Sequence, residues 1–310
     1  MLTDVTAFAP ATVANVGIGF DILGHTVEAI GDRVRVRRID EPTVRIRSIV
    51  GSAETLPATA EKNTAGRAVQ ALQAALGLAY GFELDIEKGI PLASGLGGSA
   101  ASAVAAVVAA NALLAQPLPP LELLKYAMQG ELVASGSVHL DNIAPSLFGG
   151  LILTVGIDQP RVKRIPVPAA LRCVLVHPHM LLGTREARAM LKSDVSRSDF
   201  VWQTANLAGF ISGCYSDDLD MIRDSFNDVI IEPQRNSLIP GFQDVKRGAM
   251  SAGALGCSIS GAGPTVFAWS EIQYAEAVRG AMVAAFSEHG LRSDHWISTI
   301  ENYGARVVKA

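Results

Sequence analysis

The chain has 310 residues, enough for one large or two medium domains. Hydrophobic residues make up 49% and charged residues 18%, which excludes a disordered chain, and a formal net charge of -4 argues against nucleic acid as the main partner. Cys173, Cys214 and Cys257 are widely spaced with no C-x-x-C pairing, so neither a disulfide framework nor a zinc site is expected, and a reducing, cytoplasmic setting fits best.

The N-terminus, MLTDVTAFAPATVANVG, has no basic stretch followed by an apolar core and does not read as a secretory signal. DRVRVRRI (32–39) and TVRIRSIV (43–50) alternate with period two and predict two strands of a hairpin turned around Asp40-Glu41-Pro42, their arginines facing water. Residues 64–78 predict a helix, and FELDIEKGIP predicts a strand that runs directly into a glycine loop. The alanine-valine run from Ala100 to Ala115 predicts a buried helix. Ser102 and Asn111 interrupt it, and it is shorter than the roughly 18 residues of a membrane span.

A helix over 121–135 and a strand over 149–156 follow, and the proline-rich, charged segment 158–168 is the candidate boundary. The division is then 1–160 and 161–310, with two domains. The second half reads as a strand (LRCVLVHP), helices near 184–192, 199–228 and 240–252, a strand (CSISGAGPTVFAWS), a helix (275–289) and a final strand (WISTIENYGARVVK). That alternation is α+β, with no internal repeat.

A strand, a glycine loop and a helix in that order leave free amides at a helix N-terminus, a natural seat for phosphate. Three loop patterns compete for PLASGLGGSAASA (91–103). A Walker A loop needs Gly-Lys-Ser/Thr, and Gly98 is followed directly by Ser99. GLGGSA satisfies G-x-G-x-x-A, but a helix, QPLPP and another helix follow where a strand with a terminal acid should stand. The third pattern is P-x-x-S-G-L-G-S-S-A-A, met by Pro91, Ser94, Gly95, Leu96, Gly97, Gly98, Ser99, Ala100 and Ala101. It resembles the phosphate-binding motif of the GHMP small-molecule kinases.

Three further stretches extend the resemblance from residue 9 to residue 268. APATVANVGIGFDILG (9–24) is similar to the substrate-side motif, with Ala11-Thr12 where galactokinases and mevalonate kinases usually carry a basic residue. HLDNIAPSLFGG (139–150) matches H-x-D-N-x-A-P-x-x-x-G-G, and SISGAGPTVFA (258–268) resembles the third motif, a glycine turn facing the site. Within the superfamily this set most resembles the homoserine kinase family.

The resemblance implies an N-terminal domain like ribosomal S5 domain 2, holding a left-handed β-α-β unit and the nucleotide site, and a ferredoxin-like C-terminal domain. It implies ATP and Mg2+, with L-homoserine phosphorylated on its side-chain hydroxyl to O-phospho-L-homoserine in threonine synthesis, and a homodimer, with no nucleic acid or membrane partner. The nucleotide site implied is Asn63 with Pro91, Leu92, Ala93, Ser94, Gly95, Leu96, Gly97, Gly98, Ser99, Ala100 and Ala101. Ser99 and Glu131 are the implied metal ligands, hard oxygens that suit magnesium.

Arg188 in TREAR and Arg235 in EPQR match the family's substrate arginines, whose planar fork suits a carboxylate. Arg185 is read as a neighbour. Asp21 is assigned the ammonium, with Asn15, His139 and Gly261 completing the polar shell. Asn142 and Thr184 fall beside the reacting hydroxyl. Asp141 stands where some superfamily members carry a catalytic aspartate, although the homoserine kinase pattern has no dedicated base. The competing readings are a kinase for another small alcohol, of the mevalonate, sugar or shikimate type, and a nucleotide-binding regulator that has lost turnover.

Overall fold

A computed structural model describes residues 3–51, 56–135, 140–156, 160–300 and 303–309. In chain order the first half runs β1 (Asp4–Ala14), β2 (Leu23–Ile39), β3 (Val44–Val50), α1 (Thr64–Ala75), β4 (Gly81–Glu87), α2 (Gly98–Ala112), α3 (Pro120–Ser135), α4 (Leu140–Phe148), β5 (Leu151–Val155) and β6 (Arg161–Ile165). The remainder is β7 (Leu171–Pro178), α5 (Thr184–Ala189), α6 (Arg197–Ser216), α7 (Leu219–Ser225), α8 (Glu232–Arg235), α9 (Phe242–Ser251), β8 (Ala254–Ile259), β9 (Val266–Glu271), α10 (Ala275–Glu288), β10 (Ser293–Thr299) and β11 (Arg306–Lys309).

The first sheet has the order β11-β1-β2-β4-β3, with β5 on the N-terminal part of β2 and β6 on β5. The predicted hairpin of residues 32–39 and 43–50 is not formed. β4 lies between those two strands, antiparallel to β2 and parallel to β3, with α1 as the crossover. Period-two alternation reports a half-exposed strand and is silent about which strand lies beside it. The outward arginines do reach water, and Arg33, Arg37 and Arg45 pair with Glu87, Glu83 and Glu83 of β4.

The second sheet, β10-β7-β9-β8, is antiparallel throughout and separates two cores. Along β7, Cys173 and Leu175 face the core shared with the first sheet, while Val174 and Val176 face a second core under α9 and α10. Phe267 and Trp269 against Val266 and Ala268 repeat that division on β9. A strand buried on both faces reads as a continuous apolar run, which is how LRCVLVHP looks in the sequence.

Three more expectations are corrected. Residues 199–228 break at Asp217, which takes a left-handed backbone (φ 58), into α6 and α7. CSISGAGPTVFAWS is a hairpin of β8 and β9, and the last stretch divides into β10 of the second sheet and β11 of the first. The first sheet also takes in β6, from within segment 158–168, so its strands come from both sides of position 160. Among the described residues no helix is long and apolar enough to cross a membrane. α2 is the buried helix expected of an alanine-valine run, with ten of its residues buried between α1, α3 and the first sheet.

Candidate functional site

A cleft of about 390 Å3 opens along the loop between β4 and α2. Pro91 to Ser99 form one wall, and Gly97 adopts a left-handed backbone (φ 67) as the N-cap of α2 with no side chain capping that end. The helix therefore presents its first-turn amides and its partial positive charge at the cleft. A Cβ on Gly97 would run into Thr12 Oγ1, and one on Gly95 (φ 78) into the Ser260 carbonyl oxygen. The loop is thus stripped of side chains partly by its own packing, at Gly97 against Thr12 of the 9–24 stretch and at Gly95 against the third motif.

That packing is hydrogen-bonded. Thr265 Oγ1 donates to the Ser94 carbonyl at 2.6 Å, and Ser260 Oγ to the Gly95 carbonyl at 2.7 Å. Beneath the loop a buried pair holds both its ends. Asp32 Oδ1 accepts from the Gly89 and Ile90 amides at 3.0 and 3.2 Å, while Lys88, ion-paired with Asp32, donates to the Gly98 carbonyl at 2.8 Å and to Ser102 Oγ at 2.9 Å. A buried charge with every partner in place rigidifies what it touches.

Ser99 Oγ donates to Glu131 Oε1 at 3.1 Å, across from the loop on α3. Burial pushes the Glu131 carboxyl up to about 7, against the Ser99 hydrogen bond and the Lys88 charge. A hydroxyl and a buried carboxylate side by side, next to a phosphate cradle, fit a magnesium ion that keeps waters and phosphate oxygens as its other ligands. Among the described residues no group of three His, Cys, Asp or Glu side chains could hold a metal by itself.

The opposite end is made of side chains. Arg188, on α5, forks onto Asp21 with Nη2 to Oδ1 at 2.7 Å and Nη1 to Oδ2 at 3.1 Å. Arg235, on α8, is buried, and its Nε donates to the Ala187 carbonyl at 3.0 Å, which ties α8 to α5. Asp228 accepts from the Ile230, Ile231 and Glu232 amides and so fixes the start of α8. Both guanidinium groups lie 5.2 Å from the Phe20 ring. Burial first and Arg188 second hold the Arg235 pKa below the usual arginine value, so this corner favours an anion.

Asn15 bridges the ends, its Nδ2 donating to the Gly261 carbonyl at 3.0 Å and its Oδ1 accepting from the Asp21 amide at 3.0 Å. Asn142 Oδ1 accepts from Thr12 Oγ1 at 2.7 Å, which orients its amide between the two ends. Asp141, 3% exposed, is pushed up to about 7, by burial first and Asp21 second.

Residues 63–150 match a family model described as the GHMP kinases N terminal domain, and 210–288 match GHMP kinases C terminal. The chain is 50% identical over 308 residues to the homoserine kinase of Xanthomonas campestris pv. campestris (strain B100), covering 99% of this chain and 95% of that one. The chain belongs to the homoserine kinase family. It is an enzyme, a kinase. The homoserine kinase of Chlorobaculum tepidum is 43% identical over 98% of both chains. The crystal structure of homoserine kinase from Cytophaga hutchinsonii ATCC 33406 matches with a TM-score of 0.96 and 44% identity, over 99% of this chain and 98% of that one.

In this member of the homoserine kinase family the fold brings nearly all the sequence-derived candidates to one cleft. Asn15, Asp21, Asn63, the stretch Pro91 to Ser99, Glu131, Asp141, Asn142, Thr184, Arg188, Arg235 and Gly261 all line it. Ala100 and Ala101 do not, being fully buried in α2. His139 lies outside the described residues. Arg185 is exposed and off the lining. Asn63 lines the cleft and also caps α1, accepting from the Ala65 amide at 3.0 Å. The sequence reading missed Lys88 with Asp32, Thr12, and Phe20. Only Phe20 lies within a quoted motif with an uncommitted aromatic side chain. The Lys88–Asp32 pair spans 56 residues and carries no local signature.

Proposed function

We propose that the cleft transfers the γ-phosphoryl group of ATP to the side-chain hydroxyl of L-homoserine, releasing ADP and O-phospho-L-homoserine. The observation that carries the reading is the pairing, in one cleft, of an uncapped helix N-terminus behind a glycine loop with two adjoining arginines that call for a carboxylate. Amides of the loop and of the first turn of α2 hold the phosphates, and Asn63 stands on the adenine side. Ser99 and Glu131 would hold Mg2+, which when bound offsets triphosphate charge.

Arg188 and Arg235 bind the acceptor carboxylate, with Asn15 and Gly261 beside it. Asp21 and Asp141 are the carboxylates available to its ammonium, and Asn142 and Thr184 orient the hydroxyl toward the phosphorus. A loose transition state depends on alignment and charge stabilisation more than on prior deprotonation, so these positioning residues supply most of the acceleration. By the same family resemblance the protein is a cytoplasmic homodimer whose product enters threonine synthesis.

The test is coupled ADP release with Mg2+ and ATP, comparing L-homoserine, mevalonate, galactose, shikimate and no acceptor. Release that depends on L-homoserine is the expected result. Release with another alcohol would keep the nucleotide end and discard the acceptor residues. ATP binding without release would favour a regulator.

A further inference from the structure

The middle of the glycine loop is held by its carbonyls. Ser94 accepts from the Thr265 amide at 3.2 Å and from Thr265 Oγ1 at 2.6 Å, Gly95 from Ser260 Oγ at 2.7 Å, and Leu96 from the Thr12 amide at 3.1 Å. Across a trans peptide the carbonyl of one residue and the amide of the next point in opposite directions. The amides of Gly95, Leu96 and Gly97 are therefore turned away from these donors, three in succession, as a backbone concavity for an anion requires.

The Thr265 hydroxyl is itself steered. Two oxygens 2.6 Å apart need a proton between them, and of Thr265 Oγ1 and the Ser94 carbonyl only Thr265 can supply one. The same hydroxyl oxygen lies 3.1 Å from Nδ1 of His177 on β7, so that nitrogen must carry a proton of its own and donate it. His177 is buried, and burial holds its pKa down to about 4, with Asp294 opposing that shift and His179 adding to it. The neutral ring has one N–H, and Thr265 is where it is used. An inner strand of the second sheet thereby reaches the glycine loop through two side chains.

We propose that His177 is a positioning residue for the nucleotide: its Nδ1–H keeps the Thr265 hydroxyl proton on the Ser94 carbonyl, and so keeps the Gly95 amide aimed at a phosphate. This rests on the reading in which the glycine loop holds the phosphates of ATP.

The test measures ATP affinity with Mg2+ by titration calorimetry beside steady-state turnover of L-homoserine. His177→Leu keeps apolar bulk and removes the donor, and should weaken ATP binding about 3- to 10-fold, the worth of one hydrogen bond, with the homoserine KM nearly unmoved. His177→Asn returns an N–H near the Nδ1 position and should bring ATP binding back to within about twofold. Thr265→Val removes the hydroxyl and should weaken ATP binding at least as much as His177→Leu. Adding His177→Leu to it should weaken binding no further, because both act through one proton. His177→Phe, ring-shaped and without a donor, takes the place of His177→Leu if that variant misfolds.

Equal losses in His177→Leu and His177→Asn, or losses at His177 and Thr265 that multiply, would make His177 a packing residue and overturn the proposal. So would an ATP affinity left unmoved by both His177→Leu and Thr265→Val, or a defect confined to the homoserine KM. Unaltered protein that binds no ATP would instead overturn the nucleotide reading itself.

Discussion

The cradle proposed for the phosphates is one continuous loop and helix start, residues 88–99 directly after β4, whereas the residues proposed for the acceptor, Asn15, Asp21, Asp141, Arg188 and Arg235, arrive from separate stretches of chain. The first end works with backbone. Its geometry is set by Gly95 and Gly97, by the third-motif hydroxyls and by the Lys88–Asp32 clamp. The second end works with side-chain charge, and its arginines lean on Phe20 and on carbonyls of neighbouring elements. On the proposed reading the first end recognises phosphate through backbone amides, and the second recognises the acceptor through side-chain charge.

The comparison breaks most visibly at Ser99. Its hydroxyl adjoins Glu131 at the mouth of α2, so Ser99→Ala removes one of the two side-chain groups proposed to hold Mg2+ and no packing. Turnover should fall about a hundredfold or more, the scale of a lost transition-state contact, with the melting temperature nearly unchanged. Steady-state rates beside a thermal melt decide it. Unchanged turnover would remove Ser99 from the metal site.

How much of this was legible in the sequence follows the same division. The glycine loop is local: PLASGLGGSA sits between a period-two strand and an alanine helix, and its reading needs no distant partner. The strand order was not legible, because β4 enters between β2 and β3 through a parallel pairing that period-two alternation cannot specify. Thr12 bonds to Asn142 across 130 residues and Trp269 to His25 across 244, contacts that no motif spacing encodes. The arginines were reached by resemblance, and their mutual proximity over Phe20 only by folding.

Arg235 sharpens the contrast at the acceptor end. Arg235→Leu should raise the homoserine KM roughly 10- to 100-fold while the ATP KM moves little, since a charge-assisted contact is lost on one substrate only. Because Arg235 is buried and also holds α5 through Ala187, Arg235→Lys is the companion variant. It keeps the charge and loses the fork, and should give a smaller rise in the same KM. A defect confined to ATP would mean that the two ends of the cleft are not separable in this way.

The smallest effect is seen in stability rather than turnover. Asp141 has a carboxyl pushed from 3.8 to about 7, mainly by burial and by Asp21, against its own amide and Arg188, with Glu131 acting as Asp21 does. Between those values the folded protein keeps a proton that the unfolded chain has released, so folding loses stability as pH rises through that window and levels off above about 7. At about 1.4 kcal/mol per unit that shift bounds the loss at roughly 4 kcal/mol over the whole window and roughly 2–3 kcal/mol between pH 5 and pH 7. It is read as the difference between unaltered protein and Asp141→Asn in denaturant melts from pH 5 to pH 8, without ligands. Saturating homoserine should flatten that difference, because an ammonium beside Asp141 stabilises its charged form. ATP alone should leave it in place. If ATP flattens it and homoserine does not, Asp141 belongs to the nucleotide end, and the division between a backbone site and a charged side-chain site fails at that residue.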